Sequence, residues 1–259
     1  MTRYDDLPGV RRSDLWLINK SPEHFYYFTH NRPEPTPSLI FGQAAHKYIL
    51  ERDHFDEEFA IRPDVDRRTK AGKEAWYQFA MDCNDNDLTP ISQEDYDTIK
   101  LMRSAIEEHP IASQLLLEGK NEKSWTWTDP MTGEPCKVRT DAIAEWNGDV
   151  WIVDYKTTDS CEPGHFERSV RKYGYKFQAG MYREGVFQNT FDSYRFAFVA
   201  QEKAAPYAVR VYTCSDEFLA EGYDKFRELI GIYHECNETG NWYGYGGPDC
   251  LCAELLGEG

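Results

Sequence analysis

The densest chemistry in the chain lies at Asp154-Tyr155-Lys156, preceded by Asp141. The two segments that carry them, CKVRTDAIAEW and DVWIVDYKT, alternate in strand fashion and are joined by the hairpin dipeptide Asn147-Gly148. A turn at Asn147-Gly148 sets residues whose numbers sum to 295 opposite one another, so Asp141 faces Asp154. Asp154 and Lys156, two apart in a strand, share one face. Two facing carboxylates repel unless a proton or a cation lies between them. Hard oxygen ligands in pairs suit Mg2+, which keeps several waters and also takes phosphate oxygens. Lys156 beside them could orient or deprotonate a water and stabilise charge building on phosphorus. An isolated DxK is most often a structural ion pair at a strand end. The opposed Asp141 shifts the balance towards a site.

The elements that must position these residues follow from periodicity. The first half is helical. Ser21-Pro22-Glu23 supplies a cap, a first-turn proline and an early acid before HFYYF. Ser38 is expected to cap a second helix, LIFGQAAHKYILE, with an apolar face from Ile40 to Ile49. His46 lies among alanines in that helix, where a satisfied interior histidine is the ordinary reading. RPDVDRRTKAG is polar and ends in glycine, which predicts a mobile loop with a helix from about Lys73 to Met81. Beyond the acidic linker DCNDNDLTP, Ser92 caps a helix faced by Tyr96, Ile99, Met102 and Ile106.

The period then changes. KSWTWT alternates, DPMTG is a turn, and three antiparallel strands run from about Glu122 to Lys156. Helices are expected around Pro163–Lys172 and Tyr175–Phe187; on the second, Gln178 and Tyr182 are four apart on one face. Strands YRFAFVAQ and YAVRVYT follow, then an acidic helix from Ser215 to about Cys236 and a glycine- and aromatic-rich loop, NWYGYGGPDCLC. The expected fold class is α/β (α+β), a small mixed sheet flanked by helices in one domain over residues 1–259. Within it a helical part spans about 13–118, a sheet core about 119–213, and an acidic helix and tail 214–259.

Composition sets bounds. The 259 residues carry a net charge of −16, with 41% hydrophobic and 15% aromatic residues, enough for a real core and unlike a disordered chain. No apolar run reaches the roughly 18–20 residues that span a bilayer, and the N-terminus reads as no signal peptide, so a soluble, intracellular chain is expected. The acidity alone argues against a nucleic-acid partner. It is unevenly spread, however: the tracts Met81–Asp97 and Cys214–Gly259 carry −14 of the −16. Elsewhere the chain turns locally basic, at Arg62–Lys73 and at Cys161–Gly180. Net charge is therefore a poor guide to what one face binds. Seven cysteines, odd in number and irregularly spaced, favour free thiols; a metal site at Cys236, Cys250 and Cys252 would need a distant fourth ligand.

Asp141 followed by Asp154-Tyr155-Lys156 resembles the D…(D/E)xK core of the PD-(D/E)xK nuclease superfamily. GQAAH, RTDAI, DYKTT and FQAGMY together resemble its RecB-like branch. SPEHFYYF, RRTKAGKE and WTDPMTGEPCKVRTD resemble RecE-type (exonuclease VIII) nuclease domains. The likeness runs from about Ser13 to Val211. It implies a restriction-endonuclease-like core and a Mg2+-dependent (or Mn2+-dependent) exonuclease that digests linear double-stranded DNA from 5′ ends, leaving 3′ tails. It further implies Asp141, Asp154, the Tyr155 carbonyl, Glu122 and His46 as metal ligands or helpers, and Lys156 acting on water. Gln178 and Tyr182 would hold the scissile strand, and Arg67, Arg68, Lys70, Lys73, Arg139 and Lys176 would contact DNA. Related Fe–S nucleases place a cysteine before the helical histidine. This chain has none before Cys83, so no Fe–S cluster is expected. A homo-oligomeric ring, a RecT-type single-strand-annealing partner, no membrane and the cytoplasm of a bacterial or phage-infected cell complete the implied picture. The competing readings are a PD-(D/E)xK endonuclease or nickase, and a catalytically silent DNA-end-binding scaffold.

Overall fold

The computed structural model describes residues 4–247. In chain order the elements are β1 (Val10–Arg11), α1 (Arg12–Ile18), α2 (Pro22–His30), α3 (Pro37–Leu50), β2 (Phe59–Ile61), α4 (Lys70–Asp85), β3 (Thr89–Ile91), α5 (Gln93–Glu108) and α6 (Ala112–Leu117). The second half contributes β4 (Lys120–Thr128), β5 (Pro135–Trp146), β6 (Asp149–Thr158), α7 (Pro163–Tyr173), α8 (Tyr175–Thr190), β7 (Arg195–Glu202), β8 (Val209–Thr213) and α9 (Asp216–Thr239). The mixed α/β character expected from the sequence is present. Among the described residues no helix is long and apolar enough to cross a membrane.

Helix starts follow the capping chemistry, with two corrections. Ser21, Ser92 and Ser215 each accept a hydrogen bond from a backbone N–H of the helix they open. The second long helix is capped by Thr36 rather than Ser38: Thr36 accepts from the Leu39 amide, and Pro37 fits the first turn because it has no N–H to satisfy. The basic segment is shorter as a loop than its glycine suggests. Thr69 accepts from the Gly72 amide, so α4 starts at Lys70 and Gly72 lies buried in its first turn.

β4, β5 and β6 form two antiparallel pairs, β6 runs parallel to β7 across the α7–α8 crossover, and β8 closes the edge antiparallel to β7. The β5–β6 register keeps the sum of 295 from Trp146–Asp149 to Ala142–Val153. β1 pairs parallel with Cys136 and Lys137. Since β4 occupies one edge of β5 along the same residues, β1 and β6 must share the other edge. Between them, from Val138 to Asp141, that edge has no strand partner among the described residues.

Each sheet face carries its own core. Leu15, Phe25, Phe166, Phe177, Met181 and Phe226 from α1, α2, α7, α8 and α9 cover one face. Tyr48, Ile49, Ile99, Met102, Ile106 and Leu115 from α3, α5 and α6 cover the other. Of the helices before residue 118, α1 and α2 therefore lie on the first face and α3, α5 and α6 on the second. Each fully buried large side chain contributes about 1.5–3 kcal/mol, so the two layers hold the sheet from both sides. On the first face α8 and α9 meet at Gly180 and Gly222: a Cβ on Gly180 would lie 2.2 Å from the Gly222 carbonyl carbon. That close approach brings α8 down over the sheet end.

β5 changes facing part-way along. Cys136 and Val138 pack into the α8–α9 core, whereas Ala142 and Ala144, of the same parity, pack into the α3–α5 core. Strand alternation cannot do this without a local irregularity. It lies at Glu122 and Asp141, the one position skipped in the β4–β5 pairing between Asn121–Ala142 and Lys123–Thr140. Glu122 there has φ +53, in the left-handed region.

Candidate active site

The irregularity assembles a cluster from three parts of the chain. α3 delivers His46, β4 Glu122 and β5 Asp141. His46 Nε2 is 2.8 Å from Asp141 Oδ2, and its Nδ1 is 3.3 Å from Glu122 Oε1. Ligand atoms of these three residues lie within 4.8 Å of one another. The other Glu122 oxygen is 2.7 Å from Arg139 Nε. Past the last β5–β6 pair the strands diverge, and the Asp141 side chain fills the gap by accepting a hydrogen bond from the Tyr155 amide at 2.7 Å.

β6 presents the second half of the site. Asp154 is almost fully buried, 2.6 Å from Lys156 Nζ, and its Oδ1 accepts a hydrogen bond from the Gln178 amide of α8. Lys156 also lies 4.9 Å from the centre of the Tyr175 ring. Tyr155 points to the opposite face, where its hydroxyl donates to Gln201 at 2.7 Å and anchors the strand in the α3–α5 core.

The charges are unbalanced in an informative way. Burial disfavours a charged His46, yet Asp141 and then Glu122 overcome it and push its pKa up to about 10. At neutral pH the imidazolium is thus the cation between two acids. Burial likewise opposes ionisation of Asp141, but His46 and Lys156 outweigh it and hold that carboxyl below its ordinary value. Asp154 goes the other way: burial, together with Asp141, raises it to about 6 against the pull of Lys156. Burial also works against the Lys156 ammonium, and Asp154, Tyr175 and Asp141 more than offset it, so its pKa is raised. Tyr182, one turn beyond Gln178, is pushed well above ordinary tyrosine by burial and by Asp154 and Asp141.

This donor set fits a divalent cation. Two carboxylates and an imidazole converge, a third carboxylate adjoins them, and Asp154 Oδ2 and Glu122 Oε2 are buried oxygens held by ion pairs rather than by aligned hydrogen bonds. An oxygen-rich set with one imidazole suits Mg2+ or Mn2+. Asp141, Asp154, Glu122 and His46 are the side chains that would hold it.

The match to the family described as "PDDEXK-like domain of unknown function (DUF3799)" spans residues 12–254. The chain belongs to this PDDEXK-like family. No curated protein matches it. The crystal structure of the "Putative exonuclease" of Eubacterium rectale is similar over 88% of this chain and 82% of that one, with 16% identity and a TM-score of 0.56. At that identity the likeness is one of fold. The crystal structure of SSO0001 aligns over 84% of each chain at 16% identity, but its TM-score of 0.32 carries no weight.

Within this PDDEXK-like fold the sequence-predicted residues separate into two groups. His46, Glu122, Asp141, Asp154, Lys156, Gln178 and Arg139 are brought into one contiguous network, with Tyr182 close enough to feel its charge. Lys176 turns away and pairs with Glu221 of α9. Arg67 lies over the Trp76 ring and Arg68 chelates Asp66, on the arm between β2 and β3; exposed Lys70 and Lys73 stand in the first turn of α4. Among the described residues none of these four contacts the cluster. Cys83, Cys136, Cys161, Cys214 and Cys236 are free thiols, and Cys250 and Cys252 lie outside the described residues, as does the tail from residue 248. Sequence reading missed Tyr175, whose ring lies beside Lys156.

Proposed function

We propose that the chain is a Mg2+-dependent exodeoxyribonuclease that hydrolyses linear double-stranded DNA, 5′ to 3′, leaving 3′ single-stranded tails. The observation that carries this reading is the convergence of Asp141, Asp154 and Lys156 with His46 and Glu122 at a break in the sheet of a PDDEXK-like fold. The name of the Eubacterium rectale neighbour adds support for the exonuclease form. The sequence likeness to RecE-type domains supports the polarity, a homo-oligomeric ring around the duplex and a RecT-type partner that coats the tail.

A divalent cation at the cluster supplies Lewis-acid stabilisation of the negative charge that develops on phosphoryl oxygens. The protein's own groups do the rest. Glu122, Asp141 and Asp154 concentrate negative charge at the cluster, and His46 would have to give up its proton to serve as a ligand there. Lys156, kept protonated by Asp154, holds and orients the attacking water and opposes charge on the phosphate. Gln178 fixes the Asp154 carboxylate through Oδ1, which leaves Oδ2 directed at Lys156. Tyr182 stays protonated and offers a hydroxyl to the scissile strand. Arg67, Arg68, Lys70, Lys73 and Arg139 are proposed backbone contacts, whereas Lys176, paired with Glu221, is not; residues 1–259 are proposed as one catalytic domain.

The acidic tracts do not oppose this. On α9, Asp216, Glu217, Glu221, Asp224, Glu228, Glu235 and Glu238 are all exposed, away from the cluster. Like charge there repels DNA from that surface and favours approach at the site. Incubating an end-labelled linear duplex and a covalently closed circle with Mg2+ tests the reading. Loss of the linear form alone is expected; cutting of the closed circle makes the protein an endonuclease, and no cutting of either leaves a silent end-binding scaffold.

A further inference from the structure

Among the described residues Arg12 is a cation without a counter-anion, close enough to the site for Asp154 to act on its charge. Its neighbour Arg11 takes both nearby acids, with Asp5 at 2.7 Å and Asp14 at 3.1 Å. Among the described residues no carboxylate lies within ion-pair distance of Arg12. One terminal nitrogen, Nη2, donates to the Tyr173 carbonyl, and Nε is buried with no partner. The guanidinium carbon lies 6.0 Å from the ring centres of both Trp16 and Phe177. Those two rings stack on each other at 5.6 Å, so the group rests on a rigid aromatic shelf.

The shelf is fixed by the fold. Tyr173 ends α7, and Gly174, at φ +65, turns the chain directly into α8; a Cβ there would come within 2.6 Å of the Trp16 ring. α1 is therefore packed closely against the α7–α8 junction, which holds the Arg12 backbone beside it. Burial pulls its pKa down, and the attraction that partly offsets this comes from Tyr182, Asp154 and Tyr175. Two of these belong to the proposed catalytic network, and the third has Lys156 over its ring.

An uncompensated half-buried cation is costly. Guanidinium is the side chain best matched to phosphate, through paired charge-assisted hydrogen bonds, and it stays charged when desolvated. We propose that Arg12 binds a backbone phosphate of the DNA strand next to the scissile one, so that the missing counter-anion is the substrate itself. The proposal rests on the nuclease reading above. Arg12 then adds a phosphate contact to the one made at Lys156, and the lack of a carboxylate beside Arg12 among the described residues leaves its charge for the strand.

Fluorescence anisotropy of a labelled duplex, with Ca2+ in place of Mg2+, tests this on the full chain. Arg12→Met should weaken binding about tenfold or more, as for the loss of one charged hydrogen-bonded contact. It should also lower the slope of log affinity against log salt by about one. The same variant without DNA should melt no lower than wild type, because it removes a desolvated charge. Arg12→Lys should keep the salt slope and recover only part of the affinity. Wild-type affinity and slope in Arg12→Met would overturn the proposal. So would a lowered melting temperature with an unchanged slope, which marks a structural role. Failure of the wild-type protein to bind DNA at all sinks the nuclease reading, and this proposal with it.

Discussion

His46 Nε2 lies 2.8 Å from Asp141 Oδ2, a helix-borne imidazolium against a strand-borne carboxylate across a break in the β4–β5 ladder. A proton thus sits between two of the side chains that would hold a divalent cation.

The first consequence is a pH dependence. His46 has its folded pKa raised to about 10, so its stabilising contribution is complete below the unfolded value near 6.5 and is lost as pH rises through 10. Asp154, raised to about 6, favours the folded state only while protonated; that contribution is present below the unfolded value near 3.9 and fades as pH rises through 6. Both act in the same direction. Melting temperature without metal should fall between about pH 4 and pH 10, through Asp154 below about pH 6 and through His46 above it, and millimolar Mn2+ should restore more of it at pH 9 than at pH 6. Calorimetric titration of Mn2+ at pH 8 in buffers of different ionisation enthalpy should show proton release; identical heats in all buffers would remove His46 from the ligand set.

Lys156→Ala should lower the rate of cleavage by about 10²–10³-fold, the range for one preorganised electrostatic donor, while largely sparing DNA affinity. Gel-based digestion beside anisotropy separates the two. Digestion at the wild-type rate would show that Lys156 is only the ion-pair partner of Asp154.

Gln178→Ala removes a hydrogen bond that favours the charged form of Asp154. The Asp154 pKa should rise further, and the acidic limb of the activity profile should move to higher pH. An unshifted limb with reduced activity would assign Gln178 to the DNA strand instead.

Glu122 tests the strained backbone. At φ +53 a residue with a Cβ costs about 1–2 kcal/mol that glycine does not. Glu122→Ala should therefore be less stable than Glu122→Gly by about 1 kcal/mol in urea unfolding, the reverse of the usual strand preference. Both should lose Mn2+ affinity equally. A more stable alanine variant would mean that the backbone at this position carries no strain.

The hairpin and its register were legible because Asn147-Gly148 specifies a tight turn and strand alternation does the rest. The caps at Ser21 and Ser92 were legible for a similar reason, since one side chain and one local amide decide them. Thr36 was not: PTPS offers two hydroxyls, and the proline between them selects the earlier. The short strands β1, β2 and β3 lack enough residues to show a period and exist only through pairing. His46 illustrates the limit best. Its neighbours Ala44 and Ala45 announce a buried helix face, but its partner Glu122 is brought round by a left-handed residue inside a strand, which no local pattern encodes. Arg12 was hidden for a related reason, because the absence of a partner is visible only once the other acids have been placed.

The most direct measurement is digestion of one linear duplex labelled separately at its 5′ and 3′ ends, with Mg2+ and with excess chelator. Rapid Mg2+-dependent release of the 5′ label, with the 3′ label retained on a shortening duplex and then on a single strand, is the expected result. Undiminished digestion in chelator, or no digestion with Mg2+, would contradict a metal-dependent nuclease centre at Asp141, Asp154 and Lys156.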